Sequence, residues 1–351
     1  MGRRAPQRRW LIAGAVVAGF GALVIVALAV IYPKLGAYEI RKRLSDRLAT
    51  KLGRTIDVGS IRVRLGHATI GDLSVRGPLD GDTPLVHVDR IDLEFDAWHS
   101  LFGQIQLGEA KVDGVVATVR RAADGSDNVR DMLDKWNSGG NGDSAPGGHT
   151  PKPTQLTLTH LRLFATDEVS GTTGLVGDGD ATWTPGLVVA HLRDLTATST
   201  AAPKATIANV EIRRETGKPP TVKLDGGEIA LWQRMSLSGI SGEAAADPDQ
   251  PNHFAIAFAG GYGGVPGQLW TAKGTLDPND GTAAIDLEAA KFQLDRLAPI
   301  LEHSAVVDYQ TTSVDTKFHV DVDKTGAKVE GNFHLRGLNV GHPYIADKEV
   351  R

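Results

Sequence analysis

The chain has no cysteine at all. That excludes a disulfide framework, a thiolate zinc site and a cysteine nucleophile. It has almost no net charge, a formal −4 over 351 residues, and a nucleic-acid-binding domain would show a basic excess instead. The histidines form no His-Glu-x-x-His or His-x-His pair, so a metal site has little support. Ser, His and Asp all occur, but Gly-x-Ser-x-Gly does not, and Gly239-Ile-Ser-Gly242 departs from it. These absences point to a protein without an enzyme's constellation, without a cofactor and without nucleic acid as a partner.

One further absence is informative. Residues 10–32, from Trp10 to Tyr32, contain no charged side chain, and Arg3, Arg4, Arg8 and Arg9 precede them. About 20 apolar residues at 1.5 Å each span ~30 Å of hydrocarbon. A single membrane-crossing helix is expected there. Residues 1–9 should then stay in the cytoplasm and the bulk of the chain should lie across the membrane. Ala27-Leu28-Ala29 resembles a signal-peptidase site. The apolar run is nevertheless longer than the ~7–15 residues of a signal peptide, which favours a retained anchor.

Beyond the anchor, Leu44, Leu48 and Leu52 recur every four residues, predicting a helix over 34–52 that ends at Gly53. From Thr55 the period becomes two. Ile61, Val63 and Leu65 alternate with polar residues, followed by Leu73 and Val75, Val86 and Val88, then Ile91, Leu93 and Phe95. These read as short strands joined by Gly- and Asp-containing turns, which pair most simply as antiparallel neighbours. Asn128–Trp136 has helical spacing. Residues 138–153, rich in Gly, Ser, Asn and Pro, read as a flexible linker. Alternation then resumes from Leu156 to Leu335, broken only by a helical patch at Leu294–Leu301. No helices alternate with the strands, so a doubly wound α/β fold is disfavoured. The expected class is mainly β: a transmembrane helix, then a long antiparallel sheet with a few short helices.

Three local motifs invite a chemical reading and fit a structural one better. Asp124-Gly-Ser-Asp-Asn128 lacks the spacing of a calcium loop and reads as a turn plus helix cap. Asp178 and Asp180 read as turn residues, and Gly260–Gly267 as a hairpin loop.

The order of parts resembles the AsmA-like proteins of the bacterial envelope, including the TamB type. An anchor precedes Ile40-Arg-Lys-Arg-Leu-Ser-Asp-Arg-Leu48, then Leu52-Gly-Arg-Thr-Ile-Asp-Val-Gly-Ser-Ile-Arg-Val-Arg64. Leu73-Ser-Val-Arg-Gly77, Val88-Asp-Arg-Ile-Asp-Leu93, Leu101-Phe-Gly-Gln-Ile105 and Asp113-Gly-Val-Val-Ala-Thr-Val-Arg-Arg121 follow, leading into Asp124-Gly-Ser-Asp-Asn-Val129. Much later comes Phe292-Gln-Leu-Asp-Arg-Leu-Ala-Pro299. The resemblance is fullest over Ile40–Trp136. It implies a curved, gutter-like sheet with an apolar interior, an inner-membrane location with the bulk in the periplasm, and a role in outer-membrane or envelope biogenesis. Membrane lipids are the implied partners, and other envelope proteins a further class.

On that basis residues 33–137 form the N-terminal module and 154–351 a β-rich extension of the sheet that reads as truncated. Phe254, Ile256, Phe258, Phe318 and Val320 are the candidate lipid-contacting residues, because alternate residues share one face. Two other readings stay open. The chain is the accessory region of a peptidoglycan glycosyltransferase whose catalytic domain lies beyond residue 351, or a scaffold that binds an envelope protein along a sheet edge. If the anchor is retained, N-terminal sequencing of the membrane-extracted protein should read from the arginine-containing segment. A mature start at Val30 would remove the tether.

Overall fold

The computed structural model describes residues 53–77, 80, 83–96, 106–129, 153–169, 171–199, 204–232, 235–247, 253–263, 265, 267–277, 280–297, 311–323 and 326–337, with Lys42, Ser45, Asp46 and Ala49. Among them no helix is long and apolar enough to cross a membrane, and the expected anchor at 10–32 lies outside them. So do most of the expected helices at 34–52 and 128–136 and nearly all of the 138–153 segment. Of the patch expected at Leu294–Leu301, the described part is a single 3-10 turn, Leu294–Leu297. The fold is mainly β, as the period-two alternation predicts, and divides into two compact units, within Gln7–Ala197 and within Thr198–Arg351.

The first unit contains β1 (Thr55–Arg64), β2 (His67–Arg76), β3 (Val86–Phe95), β4 (Leu107–Arg121), β5 (Gln155–Thr159), β6 (Arg162–Asp167), β7 (Thr172–Thr184) and β8 (Leu187–Thr198). β1 to β4 form an antiparallel meander. β4 then pairs in parallel with β5 and β6 in succession, and β7 pairs antiparallel with both. The 138–153 segment is therefore bracketed by strands of one unit, and the division between units falls at 197–198.

These strands are longer than the sequence reading made them. Val86–Val88 and Ile91–Phe95, read as two elements, are one strand, and Leu73 and Val75 belong to a strand that begins six residues earlier, at His67. Strict alternation would send the second half of each strand's apolar residues to the opposite face. The chain corrects this by inserting one extra residue at matched positions. Apolar neighbours there stand three apart: Val58 and Ile61, Ile70 and Leu73, Val88 and Ile91, Val112 and Val115, Leu158 and Leu161. Ladder pairing skips a line of residues between them, Gly59, Asp72, Asp89, Gly114 and His160.

Asp72, Gly114 and His160 on this line have φ of 56°, 67° and 53°, the left-handed region that turns the chain over by one residue. Asp113 anchors the break between β5 and β6, accepting hydrogen bonds from Thr159 Oγ1 and His160 Nδ1, each at 2.6 Å. Those bonds hold the Asp113 carboxyl below its ordinary pKa and the His160 imidazole above its own.

With the phase corrected, one face of the first unit is a packed core. Ile70 and Val75 are fully buried, and Leu73, Ile91 and Val115 nearly so. Buried polar groups stitch its margin. Arg54 donates to the Asn128 carbonyl at 2.7 Å and lies 3.6 Å from Asp80, while Asn128 Nδ2 donates to Asp80 at 2.8 Å. Asp124 accepts from the Ser126 amide and hydroxyl, so the calcium-like pentapeptide is a turn.

Asp178 and Asp180 are corrected. They lie inside β7 rather than in a turn, and both accept hydrogen bonds from Arg193 of β8. The glycines around them signal a further phase break, where Gly177 meets Asp194 at φ 54°.

The line of phase breaks sets a test. A Cβ at Gly114 would sit 2.0 Å from the Asp89 carboxylate, on a backbone with φ 67°. Gly114→Val should therefore destabilise the unit by about 2 kcal/mol or more. Asp72→Gly, which removes a side chain from a left-handed position, should cost less than about 1 kcal/mol. Urea denaturation of both variants measures the difference.

Candidate functional site: the apolar face of the second unit

The second unit is an antiparallel meander of β9 (Lys204–Glu215), β10 (Thr221–Trp232), β11 (Met235–Ala246), β12 (Phe254–Tyr262), β13 (Trp270–Asp277), β14 (Thr282–Gln293), β15 (Ser313–Val322) and β16 (Ala327–Arg336). Directly opposed residues in such a ladder share a face. Ile256 on β12 opposes Ala244 of β11 and Gly274 of β13; Gly274 opposes Ile285, which opposes Val320, which opposes Val329. In the other direction the row runs on through Val222 to Ile212. A second row contains Phe258, Ala272, Leu287 and Phe318, with Leu224 and Val210 at its far end. Phe254 begins a third.

All five sequence candidates thus fall on one face, in three adjacent rows. Two rows carry no charged residue across eight strands, a width of about 34 Å at ~4.8 Å per strand.

Two features of this face were not legible beforehand. The first is what the phenylalanines cover. A Cβ on Gly242 would come within 2.6 Å of the Phe258 ring, and one on Gly331 within 2.6 Å of the Phe318 ring. Each ring lies over a glycine of the next strand, a pairing known to stabilise glycine-containing sheets. The second is burial. Ile256 is 9% exposed, and Phe254, Phe258, Phe318 and Val320 are half-buried. The face is continuous and apolar but shallow. Exposure rises at its last strand, to 58% at Val329 and 65% at Phe333. Among the described strands of this unit, substantial packing runs between sheet neighbours only.

One end of the face is closed by a buried cluster. Tyr262 stands edge-on to Phe292 at 5.1 Å, and the Arg296 guanidinium lies 5.5 Å from the Tyr262 ring centre. Arg296 also donates to the Gly263 carbonyl at 2.9 Å. Burial pushes the Tyr262 hydroxyl up to about 12. This gives Phe292 and Arg296, part of a phrase in the family resemblance, a packing role. Of the loop expected at Gly260–Gly267, Gly260–Tyr262 instead end β12, where Gly260 fits beneath Trp270, whose indole N–H donates to the Gly261 carbonyl at 3.0 Å.

The opposite face is charged and ion-paired. Lys317 meets Glu288 at 2.9 Å, and His319 lies 2.7 Å from Asp286 and 3.2 Å from Asp321. A depression of about 540 Å³ opens here, lined by Lys273, Asp286, Glu288, Lys317, His319 and Glu330 among others. Acidic and basic groups are matched in number in that named set, which gives it no preference for a charged ligand. Among the described residues, no group of three or more His, Cys, Asp or Glu side chains could hold a metal ion.

Comparison with protein-family models and with curated proteins found no match to this chain.

The Asp286 hydrogen bond and the nearby Asp321 charge hold the His319 imidazole above its ordinary pKa. The folded state therefore favours protonated His319. Its contribution is fully present below the ordinary histidine range and is lost as pH rises through the raised value. A titration followed by NMR should show this elevation. It should shrink in Asp286→Asn and in Asp321→Asn, and stay in Asp225→Asn.

Proposed function

We propose that the chain is a non-enzymatic, membrane-anchored envelope protein whose second unit contacts lipid acyl chains along its apolar face. The observation that carries this reading is the continuity of the charge-free rows through Ile256 and Phe258 to Val320 and Phe318. An ordinary sheet of this kind buries such a face against a second layer, as the first unit buries Ile70 and Val75. The second unit buries Ile256 but leaves Phe258, Phe318 and Val320 only partly buried, and Val329 and Phe333 exposed. Apolar surface of that extent on a folded protein commonly marks a binding face.

The uncharged stretch at 10–32 supplies the tether and the arginines before it supply the orientation. The family resemblance supplies the envelope setting. The two rows through Ile256 and Phe258 carry no hydroxyl, carboxylate, amine or imidazole, so the role fits passive contact rather than chemistry. An acyl chain lying on the face gains by shedding water from both surfaces, without a specific polar partner.

Photo-reactive residues test the reading face by face. Introduced singly at Ile256 and Val320 in cells, they should cross-link phospholipid. At Ala257 and His319, on the charged side, they should not. Equal labelling from both faces, or none from either, would overturn the proposal.

A further inference from the structure

On the first unit, the sheet face opposite the core carries a hydrogen-bonded chain of three side chains from β2 and β3. Ser74 and His87 are directly opposed across the ladder, and Ser74 Oγ lies 2.9 Å from His87 Nδ1. The other ring nitrogen, Nε2, lies 3.1 Å from the Asp89 carboxylate. Ser74 and His87 are half-buried and Asp89 is exposed.

The phase break supplies this arrangement. His87 and Asp89 stand two apart on β3, and Asp89 is the residue that ladder pairing skips. Gly114 of β4 is its neighbour, and a Cβ there would come within 2.0 Å of the Asp89 carboxylate. The absent side chain at Gly114 leaves the space in which Asp89 meets the imidazole.

The partners fix the direction of each hydrogen bond. A carboxylate only accepts, so Nε2 carries the ring proton. In the neutral imidazole Nδ1 is then the acceptor, and the Ser74 hydroxyl donates to it. A serine that donates to an imidazole oriented by a carboxylate is an activated nucleophile. We infer that Ser74 is a modification site that accepts an acyl group from an activated ester, with His87 as its base and Asp89 as the positioning residue. The inference stands apart from the lipid reading.

Ser74 Oγ attacks the carbonyl carbon of the donor while its proton passes to Nδ1, giving an imidazolium held by Asp89. As the tetrahedral adduct collapses, the bond from that carbon to the leaving oxygen or sulfur breaks, and the imidazolium returns the proton to the leaving atom. A Ser74 ester and a neutral imidazole remain. β2 is paired on both sides around Ser74, with β1 and with β3, so the amides there are taken up by the ladders. None of them is left to serve as an oxyanion donor, the feature that accelerates both acylation and hydrolysis. The reaction therefore needs a donor with a good leaving group and stops at the ester, which agrees with a chain that modifies no substrate of its own.

The probe is p-nitrophenyl acetate, added to the full-length chain in detergent. Peptide mass spectrometry should find acetyl on Ser74 sooner than on any other serine. His87→Gln keeps a polar head beside Ser74 but cannot take its proton, and should slow labelling of Ser74 about 100-fold. Asp89→Asn should slow it as well, because an amide N–H facing Nε2 moves the ring proton to Nδ1. Asp57→Asn, at the position opposite Ser74 on β1, should leave the rate unchanged. Circular dichroism of each variant checks that the fold is kept. Labelling of wild-type Ser74 no faster than that of other serines would overturn the assignment, and so would a wild-type rate in folded His87→Gln. Release of more than one equivalent of nitrophenol that depends on Ser74 would show turnover and overturn the acceptor role.

Discussion

A strand of ten to fifteen residues that feeds one apolar face must keep its side chains in phase with its twisting neighbours, and the structure depends on how this chain does so. At Gly59, Asp72, Asp89, Gly114 and His160, β1 to β4 and the β5–β6 segment of the first unit step by one residue together. Were only one strand to step, its second half would turn valines and isoleucines to water and charges to the core. The burial of Ile70 and Leu73 on one face, although they stand three apart, is the product of that shared step. The second unit uses the same device where Gly226, at φ 69°, faces Ala208 between Val210 and Ile207. In β11 it becomes an ordinary bulge at Gly239, opposite an unbroken β12.

This device explains what was legible in the sequence and what was not. Alternation of Val, Ile and Leu with polar residues identifies the class, and the shared parity of Phe254, Ile256 and Phe258 places them on one face. That Phe318 and Val320 share that face depends on the register of three intervening ladders, which composition does not encode. The three-residue steps were present in the sequence at Val88–Ile91 and Leu158–Leu161. They look like strand ends because a turn and a phase break both draw on Gly and Asp. The same ambiguity hid Asp178 and Asp180, whose glycine neighbours belong to a strand interior. The Arg54–Asp80–Asn128 cluster joins residues far apart in the chain and left no local signal.

The two units make opposite use of similar strands. In the first, the apolar face is sealed, and its core residues lose nearly all contact with solvent. In the second, Gly242, Gly274 and Gly331 occur within the apolar rows, and Phe258 and Phe318 lie down over their neighbours. Glycine in a strand interior is costly unless something covers it. The phenylalanines are therefore structural before they are anything else, and their effect is to make the face smooth. A smooth face lacks the upright side chains that would interdigitate with a second sheet.

That smoothness bears on how firmly the face could hold anything. Full burial of a phenylalanine or isoleucine is worth roughly 1.5–3 kcal/mol, and one already mostly buried, as these are, has on the order of 0.5 kcal/mol left to gain. An acyl chain resting on one stripe would gain little more than the cost of being held still. Tight, localised binding of one molecule is therefore a poor fit to this surface. Many weak and nearly equivalent positions, repeated every ~4.8 Å from strand to strand, fit better with movement across the face. On the charged side, by contrast, Lys317 with Glu288 and His319 with Asp286 present fixed ion pairs to water. An apolar chain crossing from one side to the other would have to desolvate them. On the lipid-contact reading proposed above, the sheet would confine an apolar ligand to one face while holding it loosely there, and both properties would follow from the side chains the ladder sets opposite one another.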